Sequence, residues 1–206
     1  MSKILLLVEG KQEYLVIPEL MRRNDVSMRD DIPEIIPCNG ASNLLKEIPV
    51  RLKESSLSVL GVIVDADDNP VGCWDSIKHA ARKIIPDLPK KLPEDGLIHE
   101  IANGVRFGVW IMPNNKMRGM LETFLADIIP EGNEITWEFA KESVREAKNR
   151  GAKYTPKQID KANIYTWLAW QDPPDKALHL TMWTSFAPTH PNAQKFVKWF
   201  KDLYGL

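Results

Sequence analysis

Short unbroken apolar runs alternate, through the first half of the chain, with segments whose apolar residues recur every three or four positions. Residues 4–8 form the first run and stop at Glu9-Gly10, the pattern of a strand buried on both faces of a parallel sheet. Over residues 13–23 the period changes: Tyr14, Ile17, Leu20 and Met21 share one helical face, and Pro18 marks a start or a bend. Residues 31–37 read as a shorter strand, closed by a turn at Asn39-Gly40. A second helix over 41–53 presents Leu44, Leu45, Ile48 and Leu52, with Pro49 interrupting it. Residues 58–64 are apolar and β-branched and break off at Asp65-Ala66-Asp67-Asp68-Asn69-Pro70.

An amphipathic helix over 74–85 ends at Pro86, and a proline-rich charged link follows over 87–96. Residues 97–101 and 105–112 predict two more strands in a hairpin around Asn103-Gly104. After a polar loop come a short helix over 119–129 carrying Glu122, a charged helix over 134–149 and another over 156–170. A proline-containing loop leads to a last helix over 192–204 with Phe196, Val197 and Phe200 on its apolar side. The order strand, helix, strand, helix, strand, helix predicts an α/β fold: a mostly parallel, Rossmann-like sheet flanked by helices. The expected division is an α/β domain over 1–130 and a helical extension over 131–206 packed on it.

Composition changes this picture little. The 206 residues are 44% hydrophobic and 27% charged, with a formal net charge of −1, so a global basic face for nucleic acid is missing. Any such contact must use a local patch or a bound metal. Cys38 and Cys73 form no Cys-x-x-Cys pair and no zinc spacing, which predicts a reduced, cytoplasmic protein. The apolar start is too brief for a signal peptide, and no run approaches membrane-spanning length. A chain this long buries a sizeable core without a structural metal.

The chemistry is expected where strands end in acid. Ligands of open parallel sheets bind beyond the carboxyl ends of the strands. The first strand ends at Glu9-Gly10 and the third at Asp65-x-Asp67. If those strands are neighbours, their carboxylates converge, repel one another and desolvate poorly, and a hard divalent cation relieves both costs. Oxygen-only ligands suit Mg²⁺ or Mn²⁺ better than zinc. Gly10 lets a phosphate or metal approach the backbone, and the two-residue spacing lets Asp65 and Asp67 face the same way. Each motif alone also fits an ordinary turn or helix cap, so the conjunction carries the argument.

Val8-Glu9-Gly10 after a first strand and Val64-Asp65-Ala66-Asp67 after a third resemble the Toprim domain. That domain occurs in topoisomerases, bacterial primases, recombination-repair proteins and the overcoming-lysogenisation-defect nucleases. More closely, the chain resembles a small family of stand-alone Toprim-like proteins. That likeness is carried by Val109-Trp110-Ile111-Met112-Pro113, Gly119-Met120-Leu121-Glu122, Asp160-Lys161-Ala162 and Trp167-Leu168-Ala169-Trp170-Gln171. It implies a Toprim-like fold, Glu9 as general acid/base or metal ligand, and Asp65 and Asp67 as Mg²⁺ ligands. Glu122 becomes a fourth candidate ligand, with Glu13, Gly10 and Asp68 supporting the site from behind. No attacking-tyrosine domain and no primase-type zinc module fits in 206 residues, which leaves phosphodiester hydrolysis or a metal-bound regulatory role.

Lys116 and Arg118, in the loop before Glu122, are candidates to clamp a phosphate beside the metal, against the alternative of a solvated loop. Lys148, Arg150, Lys153 and Lys157 form the purely basic half of a longer run, suited to track a nucleic-acid backbone; its first half, with Glu138, Glu142 and Glu146 interleaved, reads as a solvated helix face. Trp167 and Trp170 read as core, and the four histidines show no ligand spacing. Three functions follow: a Mg²⁺-dependent nuclease; a non-catalytic module that binds nucleotide or nucleic acid or docks on a partner protein; and a haloacid dehalogenase-like phosphatase. The last fits poorly, because its Asp-x-Asp motif opens the domain and has Thr or Val where Asn69 stands.

Overall fold

A computed structural model describes residues 2–26, 33–102, 104–174 and 177–206. Five strands form one sheet in the order β2-β1-β3-β5-β4: β1 (Lys3–Val8), β2 (Glu34–Pro37), β3 (Leu57–Asp65), β4 (Leu97–Glu100) and β5 (Arg106–Met112). β2, β1, β3 and β5 run parallel, and β4 pairs antiparallel with β5. The protein is therefore α/β, with a mostly parallel sheet flanked by helices. The first residues of the expected second strand, 31 and 32, lie outside the described residues, as does Asn103 of the expected hairpin turn; Gly104 N–H donates to the Ile101 carbonyl at 2.8 Å and closes that turn.

Side-chain alternation along the strands builds two cores. Leu5, Leu7, Leu60, Val62 and Val64 pack with α2 (Ala41–Arg51) and α3 (Pro70–Ala81). Leu6, Val8, Ile63, Trp110 and Met112 pack on the other face with α1 (Lys11–Arg22), α4 (Leu121–Ala126), α6 (Ile159–Leu168) and α8 (Pro191–Tyr204). Between them in sequence stand α5 (Glu134–Asn149) and the one-turn α7 (Leu178–Thr181).

α8 seats on the sheet through two missing side chains. Gly61 of β3 and Gly108 of β5 are register partners. A Cβ at Gly61 would stand 2.1 Å from the Tyr204 hydroxyl, and one at Gly108 would stand 2.4 Å from a Leu203 methyl. The Tyr204 hydroxyl donates to the Leu5 carbonyl at 3.0 Å in this slot.

Several boundaries differ from the sequence reading. α1 runs straight through Pro18; the helical bond lost there is to Tyr14, which is exposed, so solvent can replace it. α4 begins only at Leu121, because Gly119 takes φ 137° and Met120 is extended. A 3₁₀ turn (Pro156–Gln158) precedes α6, and α7 interrupts the expected loop. Trp167 is core, whereas Trp170 is half-exposed and stacks on Phe139. No described helix is long and apolar enough to cross a membrane.

Candidate functional site

The topology makes one natural crevice. From β1 the chain crosses by α1 to β2 on one side, then returns by α2, on the opposite face, to β3 on the other side of β1. The strand order reverses between β1 and β3, so the crossovers diverge and leave an opening at the carboxyl ends. Glu9 follows β1 there, and Asp65 is the last residue of β3.

The side chains at this opening are held by backbone amides. Glu9 Oε2 accepts from the Asp65 amide at 3.3 Å. Asp65 Oδ1 accepts from the Leu121 amide, the first residue of α4, at 3.0 Å, which fixes that helix end against the sheet. The next residue, Glu122, is 2% exposed. Its Oε1 lies 3.2 Å from Lys161 Nζ, yet among the described residues no donor meets that buried oxygen with hydrogen-bond geometry. Glu13, also buried, accepts from the Gly10 amide at 2.8 Å, three residues back. A Cβ at Gly10 would crowd Glu13 Oε2 at 3.3 Å, so glycine suits this contact.

Four carboxylates therefore share one partly dry corner. Burial raises the pKa of Asp65 well above the usual range, and the charges of Glu13, Glu9 and Glu122 push it further. Burial also raises Glu9, opposed by the Asp65 amide and reinforced by Glu13 and Asp67. Glu13 rises through burial and the Glu122 charge, against its own amide partners and Lys161. Cys73 registers the same field: burial, then Glu9, Asp65 and Asp67, push its thiol up to about 12, and its Sγ donates to the Asp65 carbonyl at 3.6 Å.

Asp67 does not continue the strand alternation, because β3 ends at Asp65. It sits at φ 48°, exposed, with its carbonyl accepting from the Gly119 amide at 2.8 Å. Its side chain faces an adjoining cleft lined also by Asp68, Arg118, Gly119, Lys157 and Asp160. Arg118 and Lys157 thus stand beside the acids, and Lys157 lies 3.9 Å from Asp68. Lys116 turns away to Glu94 at 3.0 Å. Lys148 donates to the carbonyls of Ala152 and Tyr154, and Arg150 pairs with Glu146 at 2.6 Å, so both are occupied locally; Lys153 is exposed.

A family model described as "Protein of unknown function (DUF3226)" matches residues 3–205. The chain belongs to this family. No curated protein and no solved structure matches it. The DUF3226 match takes in all five strands, the four carboxylates and α8.

Two features of this DUF3226 protein bear on a metal. The donor set is all carboxylate oxygen, suited to Mg²⁺ or Mn²⁺, and the buried Glu122 oxygen lacks a hydrogen bond that a cation could replace. Against this, among the described residues no three His, Cys, Asp or Glu side chains already stand at metal-coordinating geometry. The residues fit such an ion in chemistry, and rotamer changes are needed to close around it. Two contributions were not legible in the sequence reading of the site. Glu13 is a full member of the cluster, although only a supporting place was expected for it. Lys161 pairs with Glu122, although the sequence offered it only within the Asp160-Lys161-Ala162 stretch of the resemblance and a basic run, with no role at the acids; α6 brings it in from 39 residues beyond Glu122.

Proposed function

We propose that this chain hydrolyses phosphodiester bonds of nucleic acid using Mg²⁺ or Mn²⁺ held among Glu9, Asp65, Asp67 and Glu122, in the manner of Toprim nucleases. One observation carries the reading: Glu9 and Asp65 meet at the switch point of a parallel sheet, with Glu13 and Glu122 close enough to raise the pKa of Asp65 further. Crowded, half-dry carboxylates favour a hard divalent cation. The Toprim resemblance of the Glu9-Gly10 and Asp65-Ala66-Asp67 motifs supports the same assignment and a Toprim-like fold. When bound, such an ion lowers the pKa of its water and offsets charge on phosphoryl oxygens.

The chain's own groups divide the remaining work. Glu9, whose pKa burial raises above the ordinary carboxylate value, is placed to act as general acid/base. Arg118 and Lys157 flank the acids and can grip neighbouring phosphates, with Lys153 extending the track. Lys116 joins them only by releasing Glu94. The reading sets the activity in the cytoplasm, in keeping with the free Cys38 and Cys73. The test is cleavage of labelled single- and double-stranded DNA and RNA with each metal, beside Glu9→Gln. Absence of turnover on all substrates in both metals sinks it.

The Lys161–Glu122 ion pair favours a second reading, a non-catalytic module that binds nucleotide or nucleic acid or docks on a partner. A cluster partly neutralised by lysine can serve to bind without turnover. Metal or nucleotide binding without cleavage, unchanged by Glu9→Gln, would establish it.

A further inference from the structure

We infer that Lys161 is the resident second cation of the acidic corner: its ammonium holds the Glu122–Glu13 side, so the Glu9–Asp65 side takes a single divalent ion. This rests on the metal-site reading above and adds its stoichiometry.

The position of Lys161 is built rather than incidental. Asp160 Oδ2 accepts from Thr123 Oγ1 at 2.6 Å, and that same hydroxyl accepts from the Met120 amide at 3.0 Å. The first turn of α6 is thereby tied to the first turn of α4, the turn that carries Glu122. One helical turn after Lys161, the Tyr165 hydroxyl accepts from Gln12 Nε2 of α1 at 3.2 Å, next to Glu13 in sequence. α6 is thus bonded to both helices that supply the inner acids, with Lys161 between the two ties.

The Lys161 side chain is nearly half-exposed at 46%, whereas that of Glu122 is 3% exposed, so the lysine reaches the buried carboxylate from the solvent side. Glu122 Oε1 lies 3.2 Å from Nζ, and among the described residues it has no other ion-pair partner and no hydrogen bond. The charge also acts on Glu13 and Asp65. Among the described residues neither Glu9 nor Asp65 forms an ion pair, so the direct lysine contact lies on the Glu122 side of the corner.

Paired metal ions in phosphoryl-transfer sites stand about 3.5–4 Å apart and share carboxylates. A second ion in this corner would need the Glu122 oxygen that Nζ already contacts. The lysine and a second ion are mutually exclusive, and the lysine, being covalently attached, holds the place.

The test counts ions. Mn²⁺ is titrated into the purified chain by calorimetry and electron paramagnetic resonance, with thermal unfolding followed in parallel. The wild-type chain and Lys161→Arg are expected to bind one ion. Lys161→Met is expected to bind two, to melt lower without metal, and to regain wild-type stability with Mn²⁺. If Lys161→Met does not fold, the double variant Lys161→Met/Glu122→Gln, which removes both charges, is expected to fold and bind one ion; no binding by it overturns the inference. One ion in Lys161→Met, with wild-type affinity and unaltered metal-free melting, also overturns it and leaves the metal site standing. No binding by the wild-type chain removes the metal reading together with this one.

Discussion

The carboxylate of Glu9 reaches the backbone amide of Asp65 at 3.3 Å, across 56 positions of sequence. Val8 registers with Ile63 on the neighbouring strand, so β3 runs past the end of β1 and offers Glu9 a free main-chain donor. The anchor is backbone, so substituting the Asp65 side chain leaves Glu9 in place. Glu9 and Asp65 can therefore be probed separately.

Glu9→Gln keeps an acceptor for that amide, and Asp65→Asn keeps one for Leu121. Each is expected to lower metal-dependent cleavage by about 10²-fold or more while leaving the far-UV circular dichroism unchanged. Single-turnover rates on one labelled oligonucleotide decide it; a change of less than threefold or so in both would remove these acids from the chemistry.

The metal-free protein should lose stability as pH rises through the acidic range. Asp65, Glu9 and Glu13 hold their protons more tightly when folded than when unfolded. Their contribution is fully present below the ordinary carboxylate pKa, near 4, and is lost as pH climbs through the raised folded values. Asp65→Asn removes the most displaced of the three. It should flatten the curve and raise the neutral-pH melting temperature of the metal-free protein by about 2–4 °C. A wild-type-minus-variant difference that does not vary between pH 4 and 7 would contradict this.

Cys73 offers a spectator's view of the same charges. With its thiol pushed up to about 12, alkylation at pH 8 should run more than roughly tenfold slower than that of an ordinary cysteine. Asp65→Asn should speed it. Mass spectrometry of iodoacetamide-treated protein distinguishes Cys73 from Cys38; equal rates in wild type and variant would mean that burial alone protects it.

Arg118→Ala and Lys157→Ala should weaken binding of single-stranded oligonucleotide, and each should reduce the slope of log K against log salt by about 0.7–1. Lys148→Ala should instead cost stability, since its ammonium serves the carbonyls at the end of α5. Fluorescence anisotropy across a salt series separates the two behaviours; an unaltered slope in both cleft variants would remove that cleft from the binding path.

Gly61→Ala drives a methyl into the Tyr204 hydroxyl and should destabilise by about 1–3 kcal/mol through overpacking. Tyr204→Phe should cost about 1–2 kcal/mol for the buried bond to Leu5. Together they should be less than additive, because the phenylalanine lacks the atom that the new methyl meets. Chemical denaturation of the four proteins tests this, and strict additivity would count against the slot.

Much of the site was readable because strands buried on both faces leave uninterrupted apolar runs, and those runs point at their own terminal acids. Glu9 and Asp65 were legible for that reason, and so was the parallel sheet. Asp67 lies past the end of β3, where the chain takes a left-handed turn, so strand alternation does not fix the direction of its side chain. Pro18 and Pro49 suggested interruptions, but α1 and α2 continue through them. Gln12 and Tyr165 left no pattern, and Lys161 gave no sign of its pairing with Glu122, because these contacts depend on which helices lie side by side. The part played by Gly61 and Gly108 depends on α8 lying across them, which no local pattern announces.

A chain growing from its amino end makes β1 and β3 long before Tyr204 exists. Until residues 191–204 emerge, the groove over Gly61 and Gly108 is open, and Leu6, Ile63 and Trp110 have no helix from α8 above them. That face of the sheet is thus closed by an element far along the chain from the strands it covers.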